Sequence, residues 1–274
     1  IMLVQMDKIV ITLTTVPQRL SFEPEDGFKL CLKSLCEQNY DSYEVHLNLP
    51  HKYNVTGEEY VIPQWIEDYQ LRYPHLKVFR MEDMGPPTKV VPTIQRETPN
   101  TLLIVTDDDL VYHPDMINEH VKYQTQLTDA VVLYDGRSLV PTKWGDLRDS
   151  WILTVSEISR VKELQHYKSC SYFVRYFEQD FFTDFLGKTL SDDVLMSYYF
   201  KHKKIKMFVV PYEPEIEKVS SYQGWYEFQG VTTFPVLRHT NGLMHTGCNH
   251  PDTLKVQPKF FIPDEFKKID YVFE

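Results

Sequence analysis

Residues 101–114 read TLLIVTDDDLVYHP, and this stretch decides the fold. Leu102, Leu103, Ile104 and Val105 form an unbroken apolar run, the pattern of a strand buried on both faces within a parallel sheet. Asp107, Asp108 and Asp109 follow at once. In open α/β sheets ligands bind beyond the carboxyl ends of the strands, so these carboxylates stand where a ligand would be held. Like charges at the rim of a core repel and lose hydration, and a cation or hydrogen bonds must offset them. Mg²⁺ and Mn²⁺ prefer carboxylate oxygen and often bridge to a substrate phosphate, so a divalent metal is the simplest offset. The plain alternative is a solvated acidic turn, or a helix N-cap at Asp109.

The pattern around this stretch alternates. Residues 8–14 (KIVITLT), 44–49, 77–80 and 130–134 have strand character, and residues 25–38, 63–73 and 115–127 have helical spacing of apolar side chains. A helical piece also runs up to Arg96. Strand and helix in turn predict an α/β fold with a mainly parallel central sheet flanked by helices. From Gly136 the pattern loosens. A loop is expected over 144–149, strands over 151–155, 168–175 and 205–210, and helices over 177–186 and 192–201. Residues 211–274 read as a loop-rich extension with Trp225, His239, His245 and His250. There is no internal repeat or low-complexity linker, so residues 1–274 are expected to form a single domain.

Bulk properties exclude several classes. With 274 residues and 42% hydrophobic side chains the chain can bury a sizeable core. A net charge of −10 argues against nucleic acid as a partner. The four cysteines include no CxxC pair, and they read as reduced thiols of a cytoplasmic protein. No stretch approaches the roughly 18 apolar residues of a membrane span, and residues 1–8 are too short for a secretory signal core. Neither GxGxxG nor GxxxxGK[ST] occurs, which disfavours dinucleotide oxidoreductases and P-loop NTPases.

Four groups of residues have candidate chemistry. The loop TTVPQR after the first strand offers Thr14, Thr15 and Arg19; hydroxyls and a forked guanidinium suit a nucleotide, although a plain turn explains them equally. Gly85-Pro86-Pro87-Thr88-Lys89 sets Thr88 and Lys89 at a helix start, where anions are attracted. In Ser191-Asp192-Asp193-Val194-Leu195, Ser191 and Asp192 suit an N-cap, and the second carboxylate exceeds what a cap needs. A carboxylate so placed can take the proton of an acceptor hydroxyl. His245 is a candidate third ligand for Mn²⁺.

Taken together, TTVPQR, GPPTK, VTDDD and SDDVL resemble the GT-A glycosyltransferases, in particular small virus-encoded or bacterial polysaccharide enzymes. The resemblance covers residues 8–200 and implies a Rossmann-like GT-A fold. Asp107-Asp108-Asp109 looks like the family's DxD motif. By that likeness Asp107 would approach the ribose and Asp109 would coordinate Mn²⁺ (or Mg²⁺) on the diphosphate; Asp107 and, from its imidazole chemistry alone, His245 are the further candidates for the metal shell. Thr14, Thr15, Arg19, Thr88, Lys89, Asp107 and Asp108 would contact the nucleotide sugar. Asp192-Asp193 resembles the family's acidic motif, with Asp193 as base and Asp192 beside it; here it reads Asp-Asp rather than Glu-Asp, and Tyr198-Tyr199 stands near the place of a frequent Arg. The implied partners are a UDP- or GDP-linked sugar and a glycan or glycoprotein acceptor, and the implied transfer is inverting. Residues 1–110 would then be the nucleotide-binding half, 111–210 the acceptor and catalytic half, and 211–274 an extension. The two competing readings are a sugar-phosphate nucleotidyltransferase, disfavoured because TTVPQRL contains no glycine, and a non-catalytic carbohydrate- or metal-binding module.

Overall fold

The computed structural model describes residues 5–21, 27–141, 147–152, 155, 157–211, 226–228 and 231–233. The first half lays down four parallel strands: β1 (Lys8–Thr14), β2 (Glu44–Pro50), β3 (Leu76–Met81) and β4 (Thr101–Val105). Every residue of β4 is buried, as its unbroken apolar run requires when both faces of a strand are covered. The connections are α1 (Pro17–Leu20), α2 (Phe28–Cys36), α3 (Gln64–Arg72) and α4 (Val91–Arg96). In α2 the buried Phe28, Cys31, Leu32 and Leu35 fall on one stripe at helical spacing, which seats the helix on the sheet. Gly85, at φ +70°, opens the 3₁₀ turn Pro86–Lys89 ahead of α4, a left-handed conformation that glycine takes without a Cβ clash.

The second half begins with β5 (Leu110–Tyr112), α5 (Met116–Gln126) and β6 (Ala130–Leu133). A hairpin of β7 (Gly136–Pro141) and β8 (Leu147–Ile152) follows, then β9 (Ser159–Arg160), β10 (Glu163–Leu164) and β11 (Cys170–Phe173). The chain continues through α6 (Asp192–His202) and β12 (Lys206–Val209) to the short strands β13 (Tyr226–Phe228) and β14 (Val231–Thr233). The central sheet has eight strands in the order β3-β2-β1-β4-β11-β6-β12-β9. β11 runs antiparallel between β4 and β6, with Cys170 opposite Val105. Among the described residues, no helix is long and apolar enough to cross a membrane.

α6 is buried on nearly all sides, from Val194 through Phe200. Phe177 stacks on Tyr199 with ring centroids 5.4 Å apart, and Tyr172 of β11 meets Phe200 edge-on at 5.1 Å. These rings dock the helix against the antiparallel strand and fix where its N-terminus lies.

Three sequence expectations change. Residues 147–149, expected in a loop, belong to β8, because pairing with β7 extends the strand in a register that no local pattern announces. The helix expected over 177–186 is a single π-helical turn, Phe181–Phe185, in the same aromatic cluster. The strand expected from Lys168 starts at Cys170, since residues 166–169 close a turn through Ser169 N–H to the His166 carbonyl (2.9 Å). Residues 234–274, with His239, His245 and His250, lie outside the described residues, as does Trp225.

Gly136 lies where β7 meets β10, and a Cβ there would sit 2.9 Å from the Glu163 carbonyl oxygen and 3.1 Å from Val161 Cγ2. Because the nearest obstacle is backbone, Gly136→Ala is expected to destabilise the fold by about 1–3 kcal/mol in urea unfolding.

Candidate functional site

The carboxyl ends of β1 and β4 lie side by side, with Thr12 opposite Val105. Each strand feeds a loop into the same edge. After β1 come Thr15 and, in α1, Arg19; after β4 come Asp107–Asp109. The antiparallel direction of β11 brings the loop before it, His166–Ser169, to that edge as well. The N-terminus of α6 completes the group with Asp192 and Asp193; Ser191 caps this helix, its hydroxyl accepting from the Val194 N–H at 3.3 Å.

Within the aspartate run the three side chains are bound differently. Asp108 is the internal anchor: its Oδ2 accepts from Thr15 Oγ1 at 2.6 Å, and its Oδ1 is paired with the Arg19 guanidinium. Arg19 also reaches Asp109 Oδ2 at 3.6 Å. Asp107 is the most open, 27% exposed against 10% for Asp108 and 12% for Asp109. Its backbone N–H donates to the Tyr112 hydroxyl at 2.9 Å, which holds the turn between β4 and β5.

Lys89 joins this run to α6. Its ammonium lies 2.6 Å from Asp107 Oδ1 and 2.9 Å from Asp192 Oδ2. Burial alone would lower its pKa, but Asp107, then Asp192 and Asp193, hold it well above the usual lysine value. Its backbone is pinned too: the Lys89 carbonyl accepts from Thr12 Oγ1 (2.6 Å) and Asn48 Nδ2 (3.1 Å). Asn48 is itself fixed by Arg96, which donates to its Oδ1 at 2.7 Å. Thr12, Asn48 and Thr93 thus form a buried polar strut beneath the lysine.

His166 is the residue that the sequence reading missed. Its Nδ1 is 2.7 Å from Asp192 Oδ2 and 3.0 Å from Asp193 Oδ1, and its own backbone N–H donates to the same Asp193 oxygen at 3.0 Å. Its Nε2 faces the Tyr172 hydroxyl at 3.2 Å. Burial opposes the imidazolium, yet the hydrogen bonds and charges of Asp192 and Asp193 raise it to about 9. The two aspartates diverge in turn. Burial would raise Asp192, but Lys89 and His166 outweigh it and hold the carboxyl well below the usual range. Asp193 goes up, because burial and the neighbouring Asp192 charge exceed the pull of His166 and Lys89. Asp193 is also the more accessible, 23% exposed against 7%.

A second buried pair adjoins. Asp135, just past β6, is raised to about 7 by burial, with Asp193 adding to the effect against Lys168. Lys168 is lowered to about 8 by burial, against the attraction of Asp135.

Thr15, Arg19, Lys89, Asp107, Asp108, Asp109, Asp192 and Asp193 therefore meet at one edge, in direct or shared contact. Thr14 lies nearby but gives its hydroxyl to the Asn48 carbonyl (2.7 Å). Thr88 is wholly buried, its hydroxyl accepting from Met84 N–H at 2.9 Å. Arg19 and Lys89, expected on a nucleotide, both lie against carboxylates at this edge. His245 lies outside the described residues. Only the fold reveals His166, since its place depends on the register of β11 against β4.

The donor set suits a hard divalent cation. Asp107 and Asp109 offer oxygen alone, and one or two carboxylates with substrate phosphates are what Mg²⁺ commonly takes. Two other groups gather three metal-binding atoms among the described residues: Glu44, His46 and Glu97, and His166, Asp192 and Asp193. Like Asp107 and Asp109, which meet Lys89 and Arg19, both of these groups hold protein cations. Lys8 bridges Glu44 (2.8 Å) and Glu97 (3.0 Å), and Lys89 contacts Asp192.

Several solved structures are similar to this chain. GalNAc-T7, solved with UDP, GalNAc and Mn²⁺, matches at a TM-score of 0.50 and 13% identity over 74% of this chain and 42% of its own. The fold is the Rossmann-like GT-A fold. Residues 1–349 of S. aureus TarS match at 0.44 and 13%, over 73% of this chain and 57% of that one. The 4-diphosphocytidyl-2C-methyl-D-erythritol synthase of Anaerococcus prevotii matches at 0.46 and 9%, over 72% and 82%. The chain thus spans about half the length of the TarS and GalNAc-T7 structures. No family model matches the chain, and no curated protein does.

Two outcomes test this electrostatic arrangement. Arg19→Ala leaves Asp108 buried without its guanidinium, so a loss of about 3–5 kcal/mol is expected in urea unfolding, partly restored in Arg19→Ala/Asp108→Ala. The His166 contribution to stability is complete below its ordinary value of 6.5 and is lost as pH rises to about 9. The urea midpoint should therefore fall across that window, and fall less in Asp193→Asn.

Proposed function

We propose that this chain is a metal-dependent glycosyltransferase that moves a sugar from a UDP- or GDP-linked donor to a hydroxyl of a glycan or glycoprotein, with inversion. The observation that supports this reading best is the meeting of two acidic groups at one sheet edge, linked by one lysine: Lys89 touches both Asp107 and Asp192. One group faces the donor side and the other the acceptor side.

In this reading Asp107 and Asp109 hold Mn²⁺ or Mg²⁺, which supplies Lewis-acid stabilisation of charge on the leaving diphosphate. Asp107 also approaches the ribose, and Thr14, Thr15 and Thr88 belong to the wall of the donor site. Asp108 acts by holding Arg19 and Thr15 in place. Lys89 adds positive charge beside the diphosphate. Asp193 takes the proton of the acceptor hydroxyl as that oxygen attacks the anomeric carbon and the bond to the diphosphate breaks. Its raised pKa and greater exposure favour it over Asp192, which Lys89 and His166 keep ionised and enclosed. His245 is assigned to the metal shell.

Calorimetry with UDP and GDP tests the donor site: binding is expected with Mn²⁺, and is expected to be lost with chelator or in Asp109→Ala. Asp109→Ala should also abolish release of nucleoside diphosphate from donor sugars while leaving the thermal unfolding transition in place. Turnover by this variant with all metal removed would overturn the reading. Pyrophosphate release from a nucleoside triphosphate and a sugar 1-phosphate would instead identify a nucleotidyltransferase.

A further inference from the structure

The turn that carries His166 is over-determined. Ser169 sits at φ +88°, a conformation rare for a side chain other than glycine. Its hydroxyl is 2.7 Å from His120 Nε2, and His120 Nδ1 is 2.9 Å from Ser171 Oγ. Burial holds His120 at about 3, so it stays a neutral hydrogen-bonding post. Strain maintained by surrounding bonds in this way marks a position that the structure keeps for a purpose. The imidazole so placed is 1% exposed and lies against both Asp192 and Asp193.

We propose that His166 is a positioning residue for the acceptor-side base: it grips Asp193 Oδ1 through both its ring and its backbone, leaving the other carboxylate oxygen to face the acceptor hydroxyl. This rests on the glycosyltransferase reading of the same site. The contacts carry the inference. Asp193 Oδ1 accepts the His166 backbone N–H at 3.0 Å and pairs with the ring at Nδ1, also 3.0 Å away, whose proton it shares with Asp192 Oδ2 at 2.7 Å, so the carboxylate cannot turn without losing both contacts. Asp192 links the same imidazole to Lys89, and Lys89 links it to Asp107. The base is thereby tied through side chains to the donor-side aspartate. Among the described residues, the other titratable groups around Asp193 include Asp135 past β6 and Cys170 and Tyr172 of β11. Asp192 and Asp135 are the carboxyls that oppose its charge, and His166 and Lys89 are the cations that favour it.

The sign of the effect follows. Replacing the imidazolium by a neutral side chain removes a charge that stabilises the Asp193 carboxylate, so Asp193 should ionise at higher pH. Two measurements on the full chain test this. Imidazole NMR titration of the wild type should find one histidine that titrates near 9, assigned by its absence in His166→Gln, and in Asp193→Asn it should move down by about one pH unit. Release of nucleoside diphosphate from UDP-glucose, UDP-GlcNAc and GDP-mannose, with water as acceptor, should show the acid limb of kcat moved up by about one unit in His166→Gln. The same variant should lose about tenfold or more in kcat with donor KM within about twofold.

A His166 that titrates at the ordinary histidine value, or a uniform loss of kcat with the acid limb unmoved, overturns the proposal. If His166→Gln does not fold, the titration is assigned through the Asp193→Asn shift and decides alone. Failure of the donor reading looks different: wild-type protein would bind neither UDP nor GDP with Mn²⁺, whatever pH His166 titrates at.

Discussion

Five carboxylates gathered at one edge of a sheet can be enclosed only if cations are enclosed with them. Here Asp107, Asp108, Asp109, Asp192 and Asp193 are met by Arg19, Lys89 and His166, and the contacts alternate in sign. From Asp107 the chain of charges passes through Lys89 to Asp192, then through His166 to Asp193. Each cation comes from a different segment: α1 after β1, the turn before α4 and the turn before β11. The site therefore requires those segments to be in place together, which makes the sheet edge a consequence of the whole fold rather than of one loop.

The alternation also divides roles between adjacent carboxylates that the sequence leaves equivalent. Asp108 is consumed by Thr15 and Arg19, while Asp107 remains the most open of its run. Asp192 is enclosed between two cations, and Asp193 keeps the more exposed side chain and the raised pKa. Two acids of the same kind, one residue apart, are thus driven apart in character by their surroundings, the condition under which one of them accepts a proton more readily than the other. The strut of Thr12, Asn48 and Thr93 under Lys89 acts on the same arrangement from below, fixing the backbone that projects the ammonium.

Much of the scaffold was legible in the residues. The apolar run 102–105 announced a strand buried on both faces, and it stands in the interior of the sheet. Helical spacing in 28–35 and the Ser191 cap were local signals and the structure follows them. The aspartate run and Asp192-Asp193 drew notice because unpaired carboxylates beside apolar segments demand an explanation. What escaped was set by pairing between distant segments. The β7–β8 hairpin, the start of β11 and the π-helical turn at Phe181–Phe185 arise from register and aromatic packing, which a window of neighbours does not contain.

By itself the sequence determined the parallel strands, the edge at which they end and the acidic groups placed there, since burial and helix capping act through near neighbours. Only the tertiary structure decided which charges meet. Arg19 and Lys89 come from separate segments, and the fold sets them against Asp108 and Asp107, where charge attraction at an enclosed edge is strong. His166 entered the site solely through the antiparallel course of β11, which sets residue 166 beside residues 192 and 193. A contact between residues so far apart in the chain has no local signature, because it exists only once the strands have chosen their partners.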